Sequence, residues 1–247
     1  MPLLFFLSLP LLALFLRLPA GSLLENISRP QVLQAIFISL STAFAATLVT
    51  ILLGTPLAYA MAQRRLPFQR VIDTLIDLPI VLPPAVAGVA LLMAFGRRGI
   101  LGGLLEGLNL QIAFTTLAVI LAQVFIASPF YIKSALLGFS SVDAELEQAA
   151  SLDGASTWEV FFLVKVPLAW PALVGGSVMT WARALGEFGA TIIFAGNFPG
   201  RTQTMPLAIY IGFELDLSVA LTLSAILVSL SFLALMLVKG FLRRQIS

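Results

Sequence analysis

The chain has 247 residues, 60% of them hydrophobic and only 11% charged, with a formal net charge of +2. A water-soluble domain carries about 25% charged residues, so this composition excludes a fully solvated exterior and makes lipid the solvent for most of the surface. Histidine and cysteine are both absent, which removes disulfides, thiolate metal sites and the commonest general base, and the scattered basic residues leave no footprint for nucleic acid.

A helix needs about 20 mostly apolar residues to cross the hydrocarbon core. Six segments meet or approach that requirement, over about 3–20, 34–62, 73–95, 112–134, 166–195 and 217–239. The runs are continuously apolar, not alternating, which selects helices over a barrel. The expected fold class is therefore an all-α integral membrane protein with six transmembrane helices, in one domain over 1–247. The first run is the shortest and has a second reading as a cleaved signal peptide. Only Met1 and Pro2 precede it, leaving no basic leader, so it is kept as a span.

Basic residues orient such a bundle. With six spans, one side collects Arg64, Arg65, Arg70, Lys133, Lys165, Lys239, Arg243 and Arg244; the other collects Arg17, Arg29, Arg97, Arg98 and Arg201. The surplus puts the first set, and both termini, on the cytoplasmic side of the cell membrane. The long connection after the fourth span is then internal, and the segments around 17–31, 96–111 and 196–216 are external.

Within that internal connection, residues 142–157 read as helix, turn and helix start. Glu145, Leu146, Glu147, Gln148 and the alanines favour helix. Gly154 is placed to end it in a left-handed conformation. Ser156 can cap the next helix, with Glu159 at the capping-box position, and Pro167 fits a helix start. An ordinary interfacial loop and a docking element for a soluble partner both satisfy this pattern.

The spacing resembles the cytoplasmic motif of permeases from ATP-binding-cassette (ABC) importers. There Glu-Ala-Ala is followed after three residues by Gly, and nine residues later by Ile-x-Leu-Pro. Here Gln148-Ala149-Ala150 is followed by Gly154 and then by Val164-Lys165-Val166-Pro167. Gln148 stands at the glutamate position, with Glu147 just before it, and valines replace Ile and Leu. The resemblance implies the type I importer architecture, with a coupling helix between the fourth and fifth spans. It also implies that Glu147, Gln148, Ala149, Ala150, Asp153, Gly154 and Pro167 form the coupling segment for two ABC ATPase subunits.

ATP and Mg would then be bound by those partners, and no cofactor or metal by this chain. Its lysines are Lys133, Lys165 and Lys239, and none follows a glycine as a phosphate-binding loop requires.

Two further stretches are similar to molybdate permeases, with sulfate permeases close by. One runs from Asp77 through Pro79, Pro83 and Pro84 to Gly88. The other runs from Trp181 through Arg183, Gly186, Glu187 and Gly189 to Thr191, continuing as Asn197-Phe198-Pro199-Gly200-Arg201-Thr202-Gln203-Thr204-Met205-Pro206. The resemblance implies import of molybdate, with tungstate as a second cargo and sulfate or thiosulfate as the alternative. It further implies a homodimeric pore and an extracytoplasmic oxyanion-binding protein.

The charges and breakers have physical readings of their own. Arg183 and Glu187, four apart in the fifth span, are expected on one helix face, either as a self-neutralising structural pair or beside the pathway. Pro79, Pro83 and Pro84 interrupt backbone bonding in the third span, as a simple kink or as a gate. Asp73 and Asp77 are expected to stabilise a helix N-terminus. Gly175, Gly176, Ser177, Gly186 and Gly189 are expected to permit close helix packing. Arg97, Arg98 and Arg201 are solvated loop charges or docking points for the binding protein. A secondary transporter would need coupling-ion ligands in matching halves, and a membrane enzyme a second set of deep charges; neither pattern is present.

Overall fold

A computed structural model describes residues 2–19, 21–64 and 66–246, with the side chains of Ser22 and 241–246 left out. Arg65 lies outside the described residues, as do the side chains of Arg243 and Arg244. The described residues form helices α1 (Pro2–Leu16), α2 (Ser22–Ile27), α3 (Pro30–Ala62), α4 (Gln69–Val81), α5 (Pro84–Phe95), α6 (Gly102–Gly107), α7 (Thr116–Ser140), α8 (Ala144–Leu152) and α9 (Thr157–Glu159). A π-helical turn (Val160–Lys165) leads directly into α10 (Val166–Leu185), followed by α11 (Gly189–Phe194), α12 (Met205–Leu215) and α13 (Leu217–Ile246).

Among the described residues, four helical runs are long and apolar enough to span a bilayer: Pro30–Ala62, Thr116–Ser140, Thr157–Leu185 and Leu217–Gly240. The other two expected spans differ. The helix near the N-terminus has 15 residues, below span length, and buries none of them. Residues 73–95 are not one helix but α4 and α5, which meet at 117°. Proline chemistry accounts for the bend. Residues before proline avoid the helical region, and Leu82 and Pro83 are both extended, with ψ near 134° and 130°. Pro84 can then open α5, where its missing N–H costs nothing.

The fifth expected span is also displaced. Its helix begins earlier, at Thr157, and stops at Leu185, with α11 following after a break at Gly186–Phe188.

α7 is the centre of the bundle, packed against both α3 and α10, which also touch each other. The α7–α10 seam is built from small residues. A Cβ on Gly138 would lie 2.6 Å from the Ala172 Cβ, and one on Gly176 would lie 2.7 Å from the Ser134 Cβ. Ser134 Oγ donates across the seam to the Ala172 carbonyl at 2.7 Å. Backbones therefore approach closely without large side chains between them, which is how helices associate where lipid removes the hydrophobic drive. Between α3 and α7, the hydroxyls of Thr55 and Tyr131 are 2.5 Å apart. Large apolar side chains point outward instead: Phe37 is 72% exposed and Leu53 is 69% exposed. That inversion belongs to a protein whose outer solvent is hydrocarbon.

Candidate functional site

Two places collect the residues singled out by sequence: an arm at one end of the bundle, and a pair of helix breaks inside it.

The arm is α8 and the turn into α9. Asp143 caps α8, its carboxylate accepting from the Glu145 N–H at 3.0 Å. Gly154 ends the helix with φ +91°, a conformation that costs a residue with a Cβ. The Ala155 N–H then reaches back to the Ala150 carbonyl at 3.0 Å, closing the helix end. Ser156 and Glu159 form the expected capping box. Gln148, Ala149, Asp153 and Gly154 are exposed, and Ala150 is half-buried. Leu152 and Trp158 project beside them at 88% and 73% exposure. Pro167 lies apart from this surface, exposed in the first turn of α10.

Glu147 differs from its neighbours. Its carboxylate turns back to Lys165 Nζ at 2.5 Å. Lys165 is buried and sits 4.9 Å from the centroid of the Tyr59 ring on α3. Sequence reasoning missed both Lys165 and Tyr59. The available signal was a lone cation in the apolar run Val160-Phe161-Phe162-Leu163-Val164-Lys165-Val166.

The second place is where the two breaks meet. A Cβ on Gly189 would lie 2.6 Å from the Pro84 Cβ, and one on Gly88 would lie 2.8 Å from the Ala190 carbonyl oxygen. The start of α5 and the start of α11 are thus in close contact. Arg183 and Glu187 lie beside this junction, paired at 2.8 Å.

They do not share a helix as expected, because Glu187 falls in the break after α10. Its buried carboxylate has two duties. One oxygen accepts from Arg183, and the other accepts from the Ala190 N–H at 2.8 Å, satisfying a free donor at the start of α11. Pro79 is buried, whereas Pro83 and Pro84 are exposed on the single chain.

Asp73 and Asp77 do not serve a helix N-terminus either. They project from α4 to Lys133 on α7, at 2.6 and 2.8 Å. One cation between two carboxylates fixes the bent-back half-helix to the central helix. Gly189 and Gly176 do provide close approach; Gly186 has no non-local neighbour in tight contact.

Arg97, Arg98 and Arg201 are exposed at the end opposite the arm. Arg97 touches Gln111 at 3.5 Å, and the Arg201 carbonyl accepts from Thr116 Oγ at 2.9 Å. At that end Arg29 also pairs with Asp216 at 2.7 Å. The Arg29 hydrogen bond holds the Asp216 carboxyl below its ordinary range, and the same bond raises Arg29. Among the described residues, no three Asp or Glu side chains converge to hold a metal ion.

A bent-back half-helix, a central helix packed against two long neighbours, and an exposed arm define a helical multi-pass membrane protein. The same architecture occurs in a bacterial ABC transporter involved in the import of the acidic polysaccharide alginate. That structure superposes with a TM-score of 0.75 at 14% identity, over 98% of this chain and 91% of its own.

Sequence gives the family directly: residues 51–246 match the model of the binding-protein-dependent transport system inner membrane components, and the chain belongs to that family. Among its relatives is the molybdenum transport system permease protein ModB of Mycobacterium tuberculosis. It is 41% identical over 231 residues, 94% of this chain and 88% of that protein. The ModB of Escherichia coli K12 is 39% identical over 178 residues, 72% of this chain and 78% of its own. The chain is thus a multi-pass membrane subunit of a transport system, not an enzyme.

Proposed function

We propose that the chain forms half of a homodimeric pore that imports molybdate, and tungstate with it, across the cytoplasmic membrane. Energy comes from ATP hydrolysed with Mg on two separate ABC ATPase subunits, and cargo from an extracytoplasmic oxyanion-binding protein. The observation that carries the reading is identity of about two-fifths to molybdenum permeases over nearly the whole chain, joined to an exposed arm with the spacing of an ATPase-docking helix.

The arm and the end of α13 lie on the cytoplasmic side, and the N-terminus joins them there if α1, short as it is, completes a crossing. ATP closes the two motors, the docked α8 helices move with them, and the bundle switches access as a rigid body. The meeting of the Pro83–Pro84 and Gly186–Phe188 breaks is the gate. Helix ends there can reorient without disturbing a continuous span, and the Arg183–Glu187 pair supports the moving end. Arg97, Arg98 and Arg201 receive an acidic rim of the binding protein.

Reconstitution in proteoliposomes with the ATPase and binding protein tests this. Molybdate uptake should require both partners and ATP. Uptake of sulfate but not molybdate would move the reading to sulfate import, and uptake by the chain alone down an ion gradient would overturn it.

A further inference from the structure

Seven residues were expected to meet the ATPase, yet one of them does not face outward. The Glu147 carboxylate reaches into the bundle and ends on Lys165. Lys165 is 3% exposed and is the last residue of the π-helical turn, immediately before α10. The turn packs through Phe161 on Tyr59 at 4.7 Å and on Phe139 at 5.9 Å between ring centroids. Tyr59 belongs to α3 and Phe139 to α7. Lys165 Nζ itself rests over the Tyr59 ring.

α8 has this turn as its main packing partner. Its apolar residues Leu146 and Leu152 are exposed, so little hydrophobic burial holds it to the bundle. The ion pair is a strong contact by contrast. A buried ammonium that loses its carboxylate is left uncompensated in a low-dielectric setting, and that is costly. A π-helical turn is moreover an uncommon piece of helix that occurs often at functional sites. The arm is therefore fastened by one polar bolt to a seam where α3, α7 and α10 all meet.

We infer that the Glu147–Lys165 pair is the joint through which movement of α8 reaches the membrane helices, with Lys165 a positioning residue for transport and Glu147 acting on Lys165, not on the ATPase. Motion of α8 pulls on the base of α10, whose far end carries Arg183 and the break before α11. Without the joint, α8 can follow the motor while α10 stays still. The inference rests on the proposed docking of α8 and adds what happens after docking.

The test uses the complete complex with its ATPase and binding protein. Lys165→Gln should lower molybdate uptake about tenfold or more while the ATPase still co-purifies and hydrolyses ATP, so that ATP consumed per molybdate rises by a similar factor. Lys165→Arg should retain much of the uptake, and the charge exchange E147K with K165E should recover part of what each single change loses. If Lys165→Gln lowers the yield of inserted protein, Glu147→Gln and the exchange, read per inserted molecule, decide the question.

Uptake and attached ATPase falling in parallel would make the pair merely structural and overturn the inference. So would unchanged uptake in Lys165→Gln, or an exchange no better than the single variants. An ATPase that binds the unaltered chain elsewhere than α8 would overturn the docking reading itself, a distinct result from coupling lost with docking intact.

Discussion

The α7–α10 seam and the α8 arm are held together by opposite means. The seam uses glycine, alanine and serine at van der Waals distance, with hydroxyl bonds across it from Ser134 and Thr180. The arm uses capping bonds at its own ends and one ion pair to the bundle. A close-packed seam has no slack: its backbones cannot separate slightly without forfeiting contact. A polar-bonded arm can be carried by an external partner without unpacking a core. The contrast fits a machine in which a stiff bundle is driven by a lever that is folded but lightly attached.

Substitutions in the two regions should therefore fail differently, and the differences can be ranked. The largest effect is expected at Gly176→Leu. Its added atoms meet the Ser134 side chain, and overpacking of about 1–3 kcal/mol or more is expected. Thermal unfolding in detergent should show a lower midpoint, and uptake and ATPase assembly should fall together.

Glu187→Gln comes next. The amide oxygen can still accept from the Ala190 N–H, but the charge partner of Arg183 is gone. A loss of about 1–2 kcal/mol is expected, with Glu187→Ala worse because it also orphans that donor.

Gly154→Val should cost stability less, because nothing crowds the site. A β-branched residue at φ +91° opposes the turn by about 1–2 kcal/mol. Insertion should be near normal while uptake falls sharply. If Gly154→Val instead behaves like Gly176→Leu, the arm is part of the core and the contrast fails.

The smallest effect concerns Arg29–Asp216, at the other end of the molecule. The folded state holds the Asp216 carboxyl below its ordinary range, so the unfolded chain takes up the proton first as pH falls. The contribution to stability is complete above about pH 4 and disappears as pH drops through the lower folded value. Arg29 is raised and keeps its charge throughout. Asp216→Asn should flatten the acid limb of a melting-temperature profile slightly and leave the neutral limb nearly unchanged, since both groups are on the surface.

Much of this was legible in the sequence, for identifiable reasons. The turn at Gly154 and the box formed by Ser156 and Glu159 depend on local backbone chemistry, so spacing alone predicts them. Apolar length identifies α3, α7 and α13 in the same way. The bend after Val81 was only half visible: Pro79, Pro83 and Pro84 signal a break, but its 117° angle is fixed by packing of α5 on α11. The roles of Asp73 and Asp77 were missed because Lys133 lies far along the chain, and charge pairing across such a distance leaves no periodic trace. Lys165 was missed for a related reason. A cation near the end of an apolar run reads as interfacial anchoring, and only the fold brings Glu147 and Tyr59 to it. Pro84 and the Arg183–Glu187 pair carry separate readings in the sequence, as a chain break and as a charge pair, and only the tertiary contact between Pro84 and Gly189 brings them to one place.

The chain contains no cysteine, so a single one at Ala149 gives a clean probe of where the motor binds. In membrane vesicles holding the assembled complex, a short thiol cross-linker on Ala149→Cys should join this chain to the ATPase subunit, and an Arg98→Cys probe should not. Cross-linking of the ATPase from position 98 with none from 149 would contradict the account.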